Sequence, residues 1–203
     1  MNQPATRGLA PRHVHATVQA AVLTTGVAAA VSLRIAAGGS MPAASYPAAI
    51  LFAGALMALS FGAGWRFTVD RHWRGSVGAG IAGAAVLVLA WATAAPHVPL
   101  TGGQHLGMLL VWSPVVALVA AAEEVALRGA LFGALLEAGG APLAIAVTSV
   151  AFGLMHVPLY GWGALPLDVA AGVLLGGLRL LSGGVAAPAV AHVLADLAGG
   201  WLG

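Results

Sequence analysis

Seven stretches of this chain are apolar over nearly the length of a bilayer core: Thr17–Ala37, Pro47–Trp65, Val77–Ala95, Gln104–Leu136, Ala141–Val157, Ala164–Leu181 and Val185–Leu202. A helix of about 20 apolar residues crosses the ~30 Å of hydrocarbon. The expected fold is therefore all-α, a polytopic transmembrane bundle of about seven helices. Hydrophobic residues make up 60% of the 203, against roughly 45–50% in soluble domains. A separate soluble domain is not expected. The 29 glycines and 11 prolines, adverse to helices in water, suit close helix–helix approach in lipid.

Charge is scarce and carries the orientation signal. The eight cations are all arginine, there are six acids, and the net charge is +2. The cations form no clustered footprint of the kind that binds nucleic acid. The absence of cysteine excludes disulfides and thiolate metal sites. The basic N-terminus (Arg7, Arg12) and the loop Arg66–Arg74 bracket two spans, so both belong on the cytoplasmic side. The turn at Glu137–Gly140 then faces the cytoplasm as well. Arg34, near the outer end of the first span, runs against this rule. The first span is expected to be retained rather than cleaved as a signal peptide, because its apolar run exceeds a usual signal core. His72, His97 and His105 are expected to face water, and Asp168 to be an interfacial charge.

Against this background the segment VWSPVVALVAAAEEVALRGALFGALL (111–136) is anomalous, because it holds Glu123, Glu124 and Arg128 within six positions. A charge at bilayer depth costs roughly 2.5–3.5 kcal/mol on insertion scales, so such groups are usually paired and functional. Helical geometry sorts them. Glu124 and Arg128 are i,i+4 and lie on one face as a candidate ion pair. Glu123 is rotated by ~100° and has no local partner. The long span that carries them, Gln104–Leu136, would reach about 50 Å, so it must tilt, kink near Pro114 or project from the membrane. His192 and Asp196 are again i,i+4, which lets Asp196 orient the imidazole. Glu123 precedes Gly139 by the same separation at which His156 follows Gly140. A hairpin there puts both about 24 Å from the turn, at one depth. A carboxylate meeting an imidazole at that depth is simple equipment for deprotonating water.

Glu123-Glu124-x-x-x-Arg128, then Phe152-x-x-x-His156, then His192-x-x-x-Asp196, resembles the signature of the CPBP (CAAX protease and bacteriocin-processing) intramembrane proteases. This family includes the eukaryotic prenyl-protein endopeptidases and bacterial Abi proteins. The resemblance runs from about Leu106 to the C-terminus. It implies that residues 105–203 form a catalytic helical core and residues 1–104 three N-terminal transmembrane helices, in one compact unit. It further implies that Glu123 and His156 activate the attacking water, that Arg128 with Glu124 and Phe152 supports the site, and that His192 and Asp196 stabilise the oxyanion. The last motif often carries asparagine where this chain has Asp196. An amide donates a hydrogen bond to an oxyanion, whereas an ionised aspartate does not. Asp196 must therefore be protonated, orient His192 or bind a metal.

The expected activity is intramembrane endopeptidase cleavage of a polypeptide with a membrane-proximal or lipidated segment, in a bacterial inner membrane. A glutamate-type mechanism without cofactor is preferred. The alternative is zinc on Glu123, His156 and His192, a set like the two-histidine, one-glutamate sites. Two other readings compete: a transporter or proton relay, and a non-catalytic immunity or scaffold protein of the same fold. The first three spans offer few polar groups for a transport path. Glu124 with Arg128 also reads as a structural stitch, and His156 as a satisfied core group. Substrate identity and oligomeric state are not written in the sequence.

Overall fold

The computed structural model describes residues 9–39, 45–68, 72–94 and 106–202. Arg7, Arg71, His97, Gly102, Gly103 and His105 lie outside them. The helices are α1 (Leu9–Gly38), α2 (Tyr46–Gly62), α3 (Trp73–Ala94), α4 (Leu106–Glu124), α5 (Phe132–Tyr160), α6 (Leu165–Ser182) and α7 (Ala186–Leu202). A π-helical segment, Val125–Leu131, joins α4 to α5, and a short 3₁₀ turn, Trp162–Ala164, precedes α6. No strand occurs among the described residues. The fold is an all-α bundle, as expected.

The boundaries follow local chemistry. Ser45 caps α2 by accepting from the Ala48 N–H, with Pro47 in the first turn where no N–H is needed. Gly183 ends α6 in the left-handed conformation. Gly140, at φ 83° and ψ −179°, breaks α5 where the sequence placed a hairpin. Hydroxyl groups turn back onto the helix: Thr17, Thr24, Ser60, Ser113 and Thr148 each donate to the carbonyl one turn earlier at 2.7–2.8 Å. This self-satisfaction suits a solvent that offers no partners.

Four helical stretches are long and apolar enough to cross a membrane: His13–Gly38, Trp73–Thr93, Gly107–Tyr160 and Trp162–Ser182. Gly107–Tyr160 contains the fourth and fifth expected spans as one interrupted element. Two of the other expected spans are helices of only 17 residues, Tyr46–Gly62 and Ala186–Leu202. The chain is a multi-pass membrane protein, but the count of seven spans is not met by length. Pro114 sits inside α4, and the irregular geometry of this long span falls instead at Val125–Leu131.

Helices α3 and α7 pack together, as do α5 and α6, and α1 lies against α2 and α5. The buried face of α1 is the stripe Ala16, Ala20, Leu23, Val27, Ala30 and Arg34. His13 Nδ1 lies 3.0 Å from the Glu137 carbonyl. The start of α1 therefore shares a level with the Glu137–Gly140 turn, the relative sidedness expected from the arginines. Towards the other end of α1, Arg34 arrives at the level of Glu123.

Candidate active site

The site is assembled at the end of α4. Every residue from Ala122 to Phe132 is buried, including Glu123, Glu124 and Arg128. The π-helical turns begin immediately after Glu124. Such widened turns are rare and recur at functional sites. Here the Arg128 carbonyl accepts a 2.9 Å hydrogen bond from Arg179 Nε of α6, whose guanidinium lies over the Phe132 ring. The π segment is thereby tied to α6.

Glu124 forms the tightly bonded part. Its Oε1 accepts from Arg128 Nη1 at 2.8 Å and from His192 Nδ1 at 2.9 Å. Arg128 also donates from Nη2 to the Gly172 carbonyl at 3.2 Å and rests 4.8 Å from the Phe152 ring centre. That carbonyl is within reach because α5 and α6 nearly touch: a Cβ on Gly172 would stand 2.7 Å from Ser149 Cα. The Glu124–Arg128 pair is the one expected from i,i+4 spacing. Its third member, His192 on the distant α7, was not.

Glu123 is loosely held. Its Oε2 lies 4.0 Å from His156 Nε2 and 3.8 Å from His192 Nε2, and its Oε1 lies 4.0 Å from Arg34 Nη1. Both imidazoles are oriented from behind. His156 Nδ1 donates to the Phe152 carbonyl at 2.8 Å, and His192 Nδ1 donates to Glu124. With Nδ1 donating, each ring turns its Nε2 towards Glu123. Phe152 contacts both rings, at 4.6 Å from His156 and 5.1 Å from His192, and Tyr160 stacks on His156 at 5.7 Å.

Separations of 3.8–4.0 Å exceed a direct hydrogen bond. They match two atoms bridged by one water at ~2.8 Å from each, with an angle near 90° at its oxygen. They are wide for zinc, whose tetrahedral ligands at ~2.0 Å stand only about 3.3 Å apart. No three His, Asp or Glu side chains among the described residues converge on a common metal position. The donor set does not fit zinc as it stands.

Several expectations need correction. Asp196 does not orient His192 alone: its Oδ2 lies 3.5 Å from Nε2, beside the ring as the i,i+4 spacing allows, while Glu124 holds Nδ1. Asp196 is instead the outward member, its side chain 43% exposed against 3% for Glu123. Asp168 is half-buried rather than plainly interfacial, with Oδ2 enclosed and unpartnered among the described residues. Arg34, read as a misplaced boundary charge, is buried over Phe52 beside Glu123. The conflict with the charge rule was its signal. A surface hollow between α3 and α7, lined by Val77, Ile81, Val190 and Leu194, lies apart from this cluster.

Fold and site together define a multi-pass helical membrane protein with a buried carboxylate–imidazole centre. Residues 103–198 match the model of the family described as Rce1-like, type II CAAX prenyl endopeptidase. That stretch, just under half of the chain, is similar to the CAAX-type prenyl endopeptidases, consistent with the relationship that the three motifs indicated. No curated protein and no solved structure matches the chain.

Proposed function

We propose that the protein is an endopeptidase that cleaves membrane-anchored or lipid-modified polypeptides with a water held by Glu123. The observation that carries this reading is the convergence of both Nε2 atoms on one oxygen of Glu123, at 4.0 and 3.8 Å, inside a buried site. Glu123 takes one proton from the water, whose oxygen attacks the scissile carbonyl carbon. His156 Nε2 accepts the other water hydrogen as a hydrogen bond. The carbonyl electron pair moves onto its oxygen, to which His192, held by Glu124, turns its outer nitrogen when protonated. Collapse re-forms the carbonyl, breaks the C–N bond and delivers the proton from Glu123 to the departing amine. A positioned base of this kind contributes about 10²–10⁴ in rate.

The rest of the assignment follows from the surroundings. Arg128, Glu124 and Phe152 hold the imidazoles, and the exposed Asp196 marks where an extended substrate enters. The substrate class follows the matched family: a chain whose lipid or anchor places the scissile bond at membrane depth. Helices α1, α2 and α3 pack around this core, while α4, α5 and α7 carry Glu123, His156 and His192. The test is cleavage of an internally quenched farnesylated peptide ending Cys-aliphatic-aliphatic-X by the purified full chain. Protein termini are compared in parallel between a wild-type and a Glu123→Ala strain. Unprocessed termini in the variant support the reading, and identical cleavage and termini sink it.

A further inference from the structure

The proposed reaction develops negative charge on the carbonyl oxygen, so an inventory of hydrogen-bond donors at the site is decisive. Glu123 and an ionised Asp196 only accept. His156 has its Nδ1 proton committed to the Phe152 carbonyl, and His192, with Nδ1 committed to Glu124, offers one donor, its outer nitrogen when protonated. Arg128 is fully buried and engaged with Glu124, the Gly172 carbonyl and the Phe152 ring. That leaves Arg34 as the second donor. Its side chain is 9% exposed and the carboxylate it faces is Glu123, with Oε1 4.0 Å from Nη1. Its Nε is enclosed without a hydrogen-bond partner among the described residues. The guanidinium lies 5.1 Å from the Phe52 ring centre, which braces it from α2.

A buried guanidinium with unused N–H groups, 4.0 Å from the residue that holds the water, is built to receive an oxygen it does not yet contact. We infer that Arg34, delivered by α1 from outside the matched residues 103–198, is a catalytic oxyanion donor that supplies the hydrogen bond an asparagine at position 196 would otherwise give. This rests on the hydrolytic reading above. Arg34 donates hydrogen bonds and keeps its protons throughout: it stabilises the electron pair on the oxygen until the C–N bond breaks. Recognition of a free C-terminal carboxylate is the competing role for the same fork. It fits less well, because a terminus about three residues beyond the scissile bond lies ~10 Å further on, whereas Arg34 adjoins Glu123.

The experiment measures kcat and KM of the full chain on the farnesylated peptide, with thermal melting in detergent as the folding control. Arg34→Met is expected to lower kcat by about 10²–10³, as loss of an oxyanion donor does, with KM within threefold. Adding Asp196→Asn to Arg34→Met is expected to recover at least tenfold, because an amide donor then enters from α7. An unchanged kcat in Arg34→Met, or an effect confined to KM, overturns the inference, the latter in favour of carboxylate binding. Should Arg34→Met not fold, Arg34→Lys decides. The lysine keeps the charge but ends short of the guanidinium fork, so a tenfold lower kcat supports the inference and a kcat within threefold overturns it. Glu123→Gln separates the two levels. If it cleaves normally, the hydrolytic reading fails and this inference with it; if it is inactive while Arg34→Met is not, only the role of Arg34 falls. No cleavage by the wild-type chain, with no altered termini, removes both.

Discussion

Glu123 and Glu124 are neighbours in sequence and almost equally enclosed, at 3% and 0% side-chain exposure, yet their surroundings are opposite. Glu124 is saturated on one oxygen by a guanidinium and an imidazole at 2.8 and 2.9 Å. Glu123 faces three cationic or ionisable groups and touches none closer than 3.8 Å. Direct bonds at one carboxylate fix geometry, while gaps at the other leave room for a guest. The rotation of ~100° between consecutive helical residues makes this division possible: one carboxylate turns into the α5–α6–α7 scaffold, the other towards α1 and the two outer nitrogens.

The contrast breaks first if Glu123 proves structural. Glu123→Gln is expected to lower cleavage of the farnesylated peptide by about 10³ or more, because an amide cannot take the water's proton. Its melting temperature should stay near wild type, since no short hydrogen bond is lost. Glu124→Gln should do the reverse. It leaves Arg128 buried without its counter-ion, a loss of about 3–5 kcal/mol for a broken buried pair, read as a large drop in melting temperature. If the glutamine at 124 melts like wild type while the one at 123 unfolds, the division of labour is the wrong way round.

A smaller effect probes the scaffold without touching charge. The Cβ of Gly172→Ala would meet the Ser149 backbone at 2.7 Å, so α6 must move from α5 and carry away the carbonyl that receives Arg128 Nη2. Overpacking of this kind costs about 1–3 kcal/mol. Melting should fall by less than in Glu124→Gln, with cleavage reduced severalfold. A variant indistinguishable from wild type would show that the Arg128–Gly172 contact does not matter.

What was readable in the chain follows from the range of each interaction. Glu124 with Arg128 is an i,i+4 relation, and helical geometry gives it directly. The approach of Glu123 to His156 was readable because Gly139–Gly140 sets a turn, and counting equal steps each way from it needs no knowledge of packing. The contact between His192 and Glu124 depends on how α7 is rotated against α4, and apolarity on nearly every face hides that rotation. Arg34 was hidden for the same reason. It continues the spacing Ala16, Ala20, Leu23, Val27, Ala30, but in so alanine-rich a helix no single stripe stands out beforehand. The π segment left no trace in hydropathy, because a widened turn alters hydrogen bonding and not composition.

The smallest expected effect bears on the metal alternative, and it sharpens what the open side of the contrast is open for. The gaps around Glu123 Oε2, 4.0 and 3.8 Å, suit a water and are about half an ångström too wide for zinc ligands. Closing them would require Glu123 or the two rings to shift from the positions in which hydrogen bonds of 2.8 and 2.9 Å at Nδ1 hold the imidazoles. Dialysis against a strong chelator is therefore expected to change the cleavage rate by less than twofold, and elemental analysis of active protein to give well under one zinc per chain. Stoichiometric zinc, with activity lost on chelation and restored by the metal alone, would mean that the imidazoles swing inward. Glu123 would then be a ligand, and the contrast with Glu124 would be one between two kinds of bonded carboxylate.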